Sequence, residues 1–140
     1  MSLVDIADNI SREEEDNCGV MKLEWDTSEN LLIFKKLEQG EFSFKRIMGL
    51  RLSKEEVVSL LKSITECLRN GTGFNLKSLG NYTIDISCIK SGRETKLKLG
   101  VMEYRGEKSR VVGNVCYNMY MSGNTLLDGI RGFRSNNGLM

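Results

Sequence analysis

The segment Phe42-Ser43-Phe44-Lys45-Arg46-Ile47-Met48-Gly49-Leu50-Arg51-Leu52 admits two readings, and the fold turns on which one holds. With a period of two, Phe42, Phe44, Met48, Leu50 and Leu52 share a face, but Arg46 falls on that face as well. As a helix, Ser43 caps a turn in which Phe44, Ile47 and Met48 stand at i, i+3 and i+4, and Gly49 ends it. The interrupted alternation favours the short helix.

On the C-terminal side the pattern is plainer. Ser53-Lys54-Glu55-Glu56 is a capping box, in which Ser53 accepts from the amide three residues on and Glu56 reaches back to the Ser53 amide. Val57, Leu60, Leu61, Ile64 and Leu68 then fall on one stripe, and Asn70-Gly71 supplies a stop. The spacing predicts a helix over 54–69. Beyond it the period switches to two: a short strand at Phe74-Asn75-Leu76, a turn at Ser78-Leu79-Gly80-Asn81, and strands over 82–88, 95–104 and 110–121. Leu126, Leu127, Ile130 and Phe133 predict a terminal helix of about ten residues, with 135–140 fraying after it.

On the N-terminal side, Val20–Trp25 and Leu31–Leu37 read as strands joined by the turn Asp26-Thr27-Ser28-Glu29-Asn30. Residues 1–19 read as an acidic leader, for which a short helix and disorder serve equally.

Composition limits the chemistry. At 140 residues one domain is the default, and 40% apolar with 28% charged residues is ordinary for a folded chain. There is no histidine, so no Ser-His-Asp triad, histidine base or Cys/His zinc site can form. Gly71–Ser78 fails as a phosphate loop, because Leu76 rather than glycine precedes Lys77-Ser78 and a helix comes before it. Glu55 and Glu56 suit a first helical turn, and Glu13–Asp16 a solvated tail. The sequence therefore predicts no enzyme, no cofactor and no metal. Cys18, Cys67, Cys88 and Cys116 show no C-x-x-C spacing, and no signal peptide or membrane span is legible, which predicts reduced thiols and a cytoplasmic protein. Trp25 reads as a core residue.

Charge is unevenly distributed. Residues 1–29 carry nine acids against Arg12 and Lys22, a balance of −7, so the remainder carries +8 for a net +1. The run from 90 to 110 holds Lys90, Arg93, Lys96, Lys98, Arg105, Lys108 and Arg110 against three acids. Lys96 and Lys98 alternate with Leu97, Leu99 and Val101, giving a strand with one oily and one cationic face. Such a face suits a polyanion.

Three pieces of the chain resemble the HU/IHF family of bacterial DNA-bending proteins. They are Leu52-Ser53-Lys54 opening the long helix, the run Ser63–Gly71 followed by Phe74–Tyr82, and Tyr120-Met121-Ser122-Gly123-Asn124-Thr125-Leu126-Leu127-Asp128-Gly129-Ile130 at the last helix. The resemblance implies an α+β fold, with a helical body, a β-sheet and an extended β-arm in an intertwined homodimer. Residues 20–134 would form the DNA-binding domain, with an added N-terminal hairpin over 20–37. The arms would hold the seven basic residues named above against the backbone of duplex DNA, as an architectural protein of the nucleoid. No small-molecule substrate and no membrane enters this reading. The chain lacks the wedge proline of such arms, leaving Met102 or Tyr104 as the apolar substitute. Two alternatives stand beside it. The strand-serine-helix order at Leu50-Arg51-Leu52-Ser53 recurs at Met119-Tyr120-Met121-Ser122 and is similar to single-strand binders of the Whirly type. The modest net charge and acidic leader suit a protein-interaction or structural module.

Overall fold

The structure, a computed structural model, describes residues 20–37, 41–70, 73–91, 94–119 and 123–139. Among them the elements run β1 (Val20–Asp26), β2 (Leu31–Leu37), β3 (Lys45–Arg51), α1 (Lys54–Arg69), β4 (Gly73–Leu79), β5 (Tyr82–Ser91), β6 (Glu94–Arg105), β7 (Lys108–Met119) and α2 (Gly123–Asn136). The strands form two antiparallel sheets, β1-β2-β3 and β4-β5-β6-β7, in which every neighbour in space is a neighbour in sequence. Each sheet is followed by one helix, so a sheet-then-helix unit occurs twice.

The helical body expected from the HU/IHF resemblance is not formed. Among the described residues two helices stand against seven strands, and the segment read as a short first helix is β3, the third strand of the smaller sheet. A bulge resolves the difficulty that Arg46 raised. Phe34 pairs with Met48 but Lys35 pairs with Arg46, so Ile47 is an extra residue in β3. The one-residue slip turns Arg46 outward while Met48 and Leu50 point into the core. There the Arg46 guanidinium lies across Gly49, where a Cβ would meet its Nη2 at 2.5 Å and a Leu31 methyl at 3.3 Å. Glycine in this strand makes room for an arginine rather than ending a helix.

The other joints follow their local chemistry. In the β1–β2 turn, Asp26 Oδ1 accepts from the Ser28 amide at 3.0 Å, the Ser28 hydroxyl at 2.7 Å and the Glu29 amide at 3.2 Å. Those bonds, the Ser28 hydroxyl foremost, hold the Asp26 carboxyl below its usual pKa. The β4–β5 and β6–β7 turns place Gly80 and Gly106 at positive φ, +58° and +65°, as the first central residue of a two-residue hairpin turn.

Helix α1 has the predicted bounds and cap. The Glu56 amide donates to Ser53 Oγ at 3.2 Å, and the Ser53 amide donates to Glu56 Oε1 at 2.9 Å. Ser53→Ala removes one partner of this box and is expected to lower stability by about 1 kcal/mol, read as a lower urea midpoint at unchanged slope. An unchanged midpoint would mean that water satisfies the amide equally well.

One apolar core joins both sheets and both helices. Leu32 and Phe34 of β2, Met48 and Leu50 of β3, Leu60, Leu61 and Ile64 of α1, Ile84 and Ile86 of β5, Leu97 and Leu99 of β6, and Tyr117 of β7 are all buried within it. β7 comes close to β3 at Gly113, where an added Cβ would stand 3.4 Å from Met48. Trp25 packs against the core partly buried, in keeping with its reading. The inner apolar face of the larger sheet is covered by α1 and the smaller sheet. Nor do the described residues beyond 134 splay away: α2 runs to Asn136, and Leu139 is buried with its amide bonded to the Arg134 carbonyl at 2.8 Å.

Candidate nucleic-acid interface

The larger sheet has an inner face packed on α1 and an outer face that carries the candidate site. Tyr82, Ile84, Ile86 and Cys88 of β5 point inward, and so do Leu97, Leu99 and Val101 of β6. The intervening residues therefore point outward. Register aligns them in rows across the four strands: Phe74, Ser87, Lys98 and Cys116 in one, Leu76, Asp85, Gly100 and Asn114 in the next, with Ile89 and Lys96 paired at one side. Phe74 and Leu76 are 67% and 60% exposed, Ile89 is 42% and Tyr104 49%. Four large apolar side chains are thus left exposed on one sheet face.

In the middle of the face lies a cavity of about 160 Å³, lined by Asp85, Ser87, Lys98, Gly100, Asn114 and Cys116. Gly100 makes its floor. Asn114 Oδ1 lies 2.8 Å from where a Cβ of residue 100 would stand, so any side chain there must displace the amide. Asp85 accepts from the Ser87 hydroxyl at 3.4 Å, and desolvation raises its carboxyl above the usual pKa, against the opposing pull of that bond. The arrangement sets hydrogen-bonding groups in a notch, lysines beside it, and apolar and aromatic surfaces at its margins.

The seven predicted binding residues do not form one surface. Lys96 and Lys98 alternate with buried Leu97 and Leu99 and lie on the outer face, as their spacing implied. Arg105, Lys108 and Arg110 follow the opposite parity at the far end of the β6–β7 hairpin, where Arg105 pairs with Lys108 and Glu103 with Arg110. Two of them are engaged: Glu103 Oε1 accepts from Arg105 Nε at 2.8 Å and from Arg110 Nε at 2.9 Å. These bonds, Arg110 foremost, hold the Glu103 carboxyl below its usual pKa. Lys90 lies in β5 opposite Thr95, and Arg93 lies outside the described residues. A single cationic arm is thus replaced by two lysines on one face and a locally neutralised hairpin end on the other.

Sequence reasoning missed Phe74, Leu76 and Ile89. Their signal was present in the alternation of β4, but alternation does not tell which face of an edge strand is covered. Tyr104 was noted only as a substitute for a proline wedge.

One cysteine, Cys116, lines the notch and is fully buried there. Cys67 and Cys88 are buried outside any disulfide, and burial pushes the Cys67 thiol above its usual pKa, which makes it a poor nucleophile. Cys116 is disulfide-bonded, at odds with the expectation of reduced thiols throughout. Among the described residues no three metal-ligating side chains gather, and no helix is long and apolar enough to cross a membrane. No family model matches the chain, and no curated protein matches it.

Proposed function

We propose that the protein binds single-stranded nucleic acid, without catalysis, across the outer face of β4–β7. The observation that carries this reading is the exposure of Phe74, Leu76, Ile89 and Tyr104 on the face that also holds Lys96, Lys98 and the Gly100 notch. Unpaired bases present flat apolar faces that stack on aromatic side chains, and their phosphates lie within reach of neighbouring lysines. Ser87, Asn114 and Asp85 offer donors and acceptors to a base edge at the notch. From Lys96 to Tyr104 the face runs roughly 27 Å at about 3.4 Å per residue, room for several nucleotides.

Duplex DNA suits the face less well. Its bases are stacked away from a flat sheet, and its affinity comes mainly from many phosphate contacts. Here the basic residues divide between two faces, and Glu103 occupies Arg105 and Arg110.

The test is an anisotropy titration of a labelled strand of about 15 nucleotides, with the matched duplex as competitor, at two ionic strengths. The strand should be preferred by about tenfold, and its log affinity should fall with log salt at a slope near −1.4, about −0.7 for each lysine contact. Equal or tighter duplex binding would return the function to the architectural class. Binding of neither would leave the sheet as a protein-contact surface.

Asp85 sets the pH dependence. Its raised pKa means that the folded chain holds this proton at a pH where the unfolded chain has lost it, so this group favours the fold at low pH and weakens it as pH rises through the folded value. Protonation also removes a negative charge facing the phosphates. Affinity should therefore rise as pH falls through a value above the ordinary aspartate range. Asp85→Asn should bind about 3-fold tighter at neutral pH, as one unit charge roughly 6 Å away in a water-like dielectric implies, and should lose that part of the pH profile. A variant whose profile matches the parent assigns the titration to another group.

A further inference from the structure

A second concave surface lies between the two helices, away from the sheet face. A cavity of about 230 Å³ is lined by Thr65 and Arg69 of α1 and by Leu127, Ile130, Arg131 and Arg134 of α2. The four α2 residues stand at i, i+3, i+4 and i+7, one face of the helix, so the sequence itself gathers them. Among the described residues three guanidiniums line the cavity and no carboxylate does.

Their charge is not balanced locally. Asp128 lies 3.8 Å from Arg131, with both side chains largely exposed, and contributes one negative charge. Arg69 and Arg134 stand in the last turns of α1 and α2, where each helix end contributes about half a negative charge. Against three unit positive charges, about one remains uncompensated among the described residues. Arg69 makes no ion pair among the described residues. Hydrogen bonding is equally open: Arg134 Nε donates to the Leu139 carbonyl at 3.1 Å, and no other guanidinium N–H of the three has a protein acceptor among the described residues. That bond matters, because buried Leu139 fixes one guanidinium in place at the groove.

We propose that this groove binds a phosphomonoester, its dianionic phosphoryl group held by Arg69, Arg131 and Arg134 and its organic part lying on Leu127 and Ile130. A guanidinium fork matches phosphate oxygens two at a time, and a phosphoryl group offers three terminal oxygens to the three guanidiniums where a carboxylate offers two. Thr65 already donates its hydroxyl to the Leu61 carbonyl at 2.8 Å, which leaves its oxygen as an acceptor for an organic donor rather than a phosphate contact.

The probe is adenosine 5′-monophosphate, followed by chemical shifts of the Leu127 and Ile130 amides. The shifts should saturate, and sodium chloride at equal ionic strength should not reproduce them. Arg69→Gln with Arg131→Gln should weaken binding at least about tenfold, equivalent to about 1.4 kcal/mol. Both side chains are exposed, and a urea midpoint confirms that the variant is folded. Lys96→Ala with Lys98→Ala, on the sheet, should leave the monophosphate affinity unchanged, which separates this site from the strand-binding face. Failure to saturate, equal binding by the arginine variant, or equal displacement by an oligonucleotide lacking a terminal phosphate would each overturn the proposal. The last outcome would assign the groove to phosphodiester backbone.

Discussion

Phe74→Ala is expected to weaken binding of a single-stranded oligonucleotide by between about 5-fold and about 150-fold, the equivalent of about 1–3 kcal/mol for loss of one base–aromatic stack. The side chain is 67% exposed and fills no core space, so the urea midpoint should stay within about 0.5 kcal/mol of the parent. The separation of affinity from stability is the informative part. Leu76→Ala, one row along the same strand, should weaken binding less, because an aliphatic chain offers contact area without a π-face. The salt slope should not move in either variant, since neither removes a phosphate contact. Parent-like affinity in both would place the nucleic acid on another surface.

The largest effect on folding is expected at Phe34. It is buried on the central strand of the smaller sheet, flanked across the strands by Leu23 and Met48, and Met48 in turn meets Gly113 of the other sheet. Phe34→Ala removes an aromatic ring where the two sheets come together. The cost is about 3–5 kcal/mol, against a total of about 5–15 kcal/mol for a domain of ordinary stability. Denaturant unfolding should show a midpoint shift of that size, whereas Phe42→Ala, fully exposed, should leave the midpoint in place. A small shift at Phe34 would show that neighbouring side chains collapse into the space.

Much of the secondary structure was legible, for reasons tied to particular residues. The capping box and apolar stripe of α1 are local signals, and they placed the helix at its observed bounds. The turn around Asp26 joins two strands whose ends match the sequence reading to within a residue. β3 was misread because its alternation is broken at Arg46, and the bulge that repairs it depends on pairing with β2, which no window of β3 contains. That single error carried the fold class with it. With a helix at 43–49, the order of elements resembled a helical body with an arm. With a strand there, β1, β2 and β3 close into a sheet of their own that meets β7, and α1 packs on β4 and β5.

The site was legible only in part. Alternation around Leu97 and Leu99 correctly set Lys96 and Lys98 on the outer face. It also shows why the basic run from 90 to 110 was not one surface: a hairpin sends residues of opposite parity to opposite faces, and Glu103 draws two arginines to itself. Linear charge density contains neither fact. The groove between the helices was invisible for a similar reason, since Arg69 and Arg131 meet only when α1 and α2 pack together.

The position of β4 at the margin of its sheet has a further consequence. Its outward alternation of Phe74 and Leu76 sits beside a row of main-chain groups that no neighbouring strand among the described residues uses, a template on which a second molecule can lay down its own ribbon. Concentrated protein should therefore tend to pair border to border as a closed dimer, and a bound oligonucleotide covering Phe74 should act as the cap that keeps it dispersed.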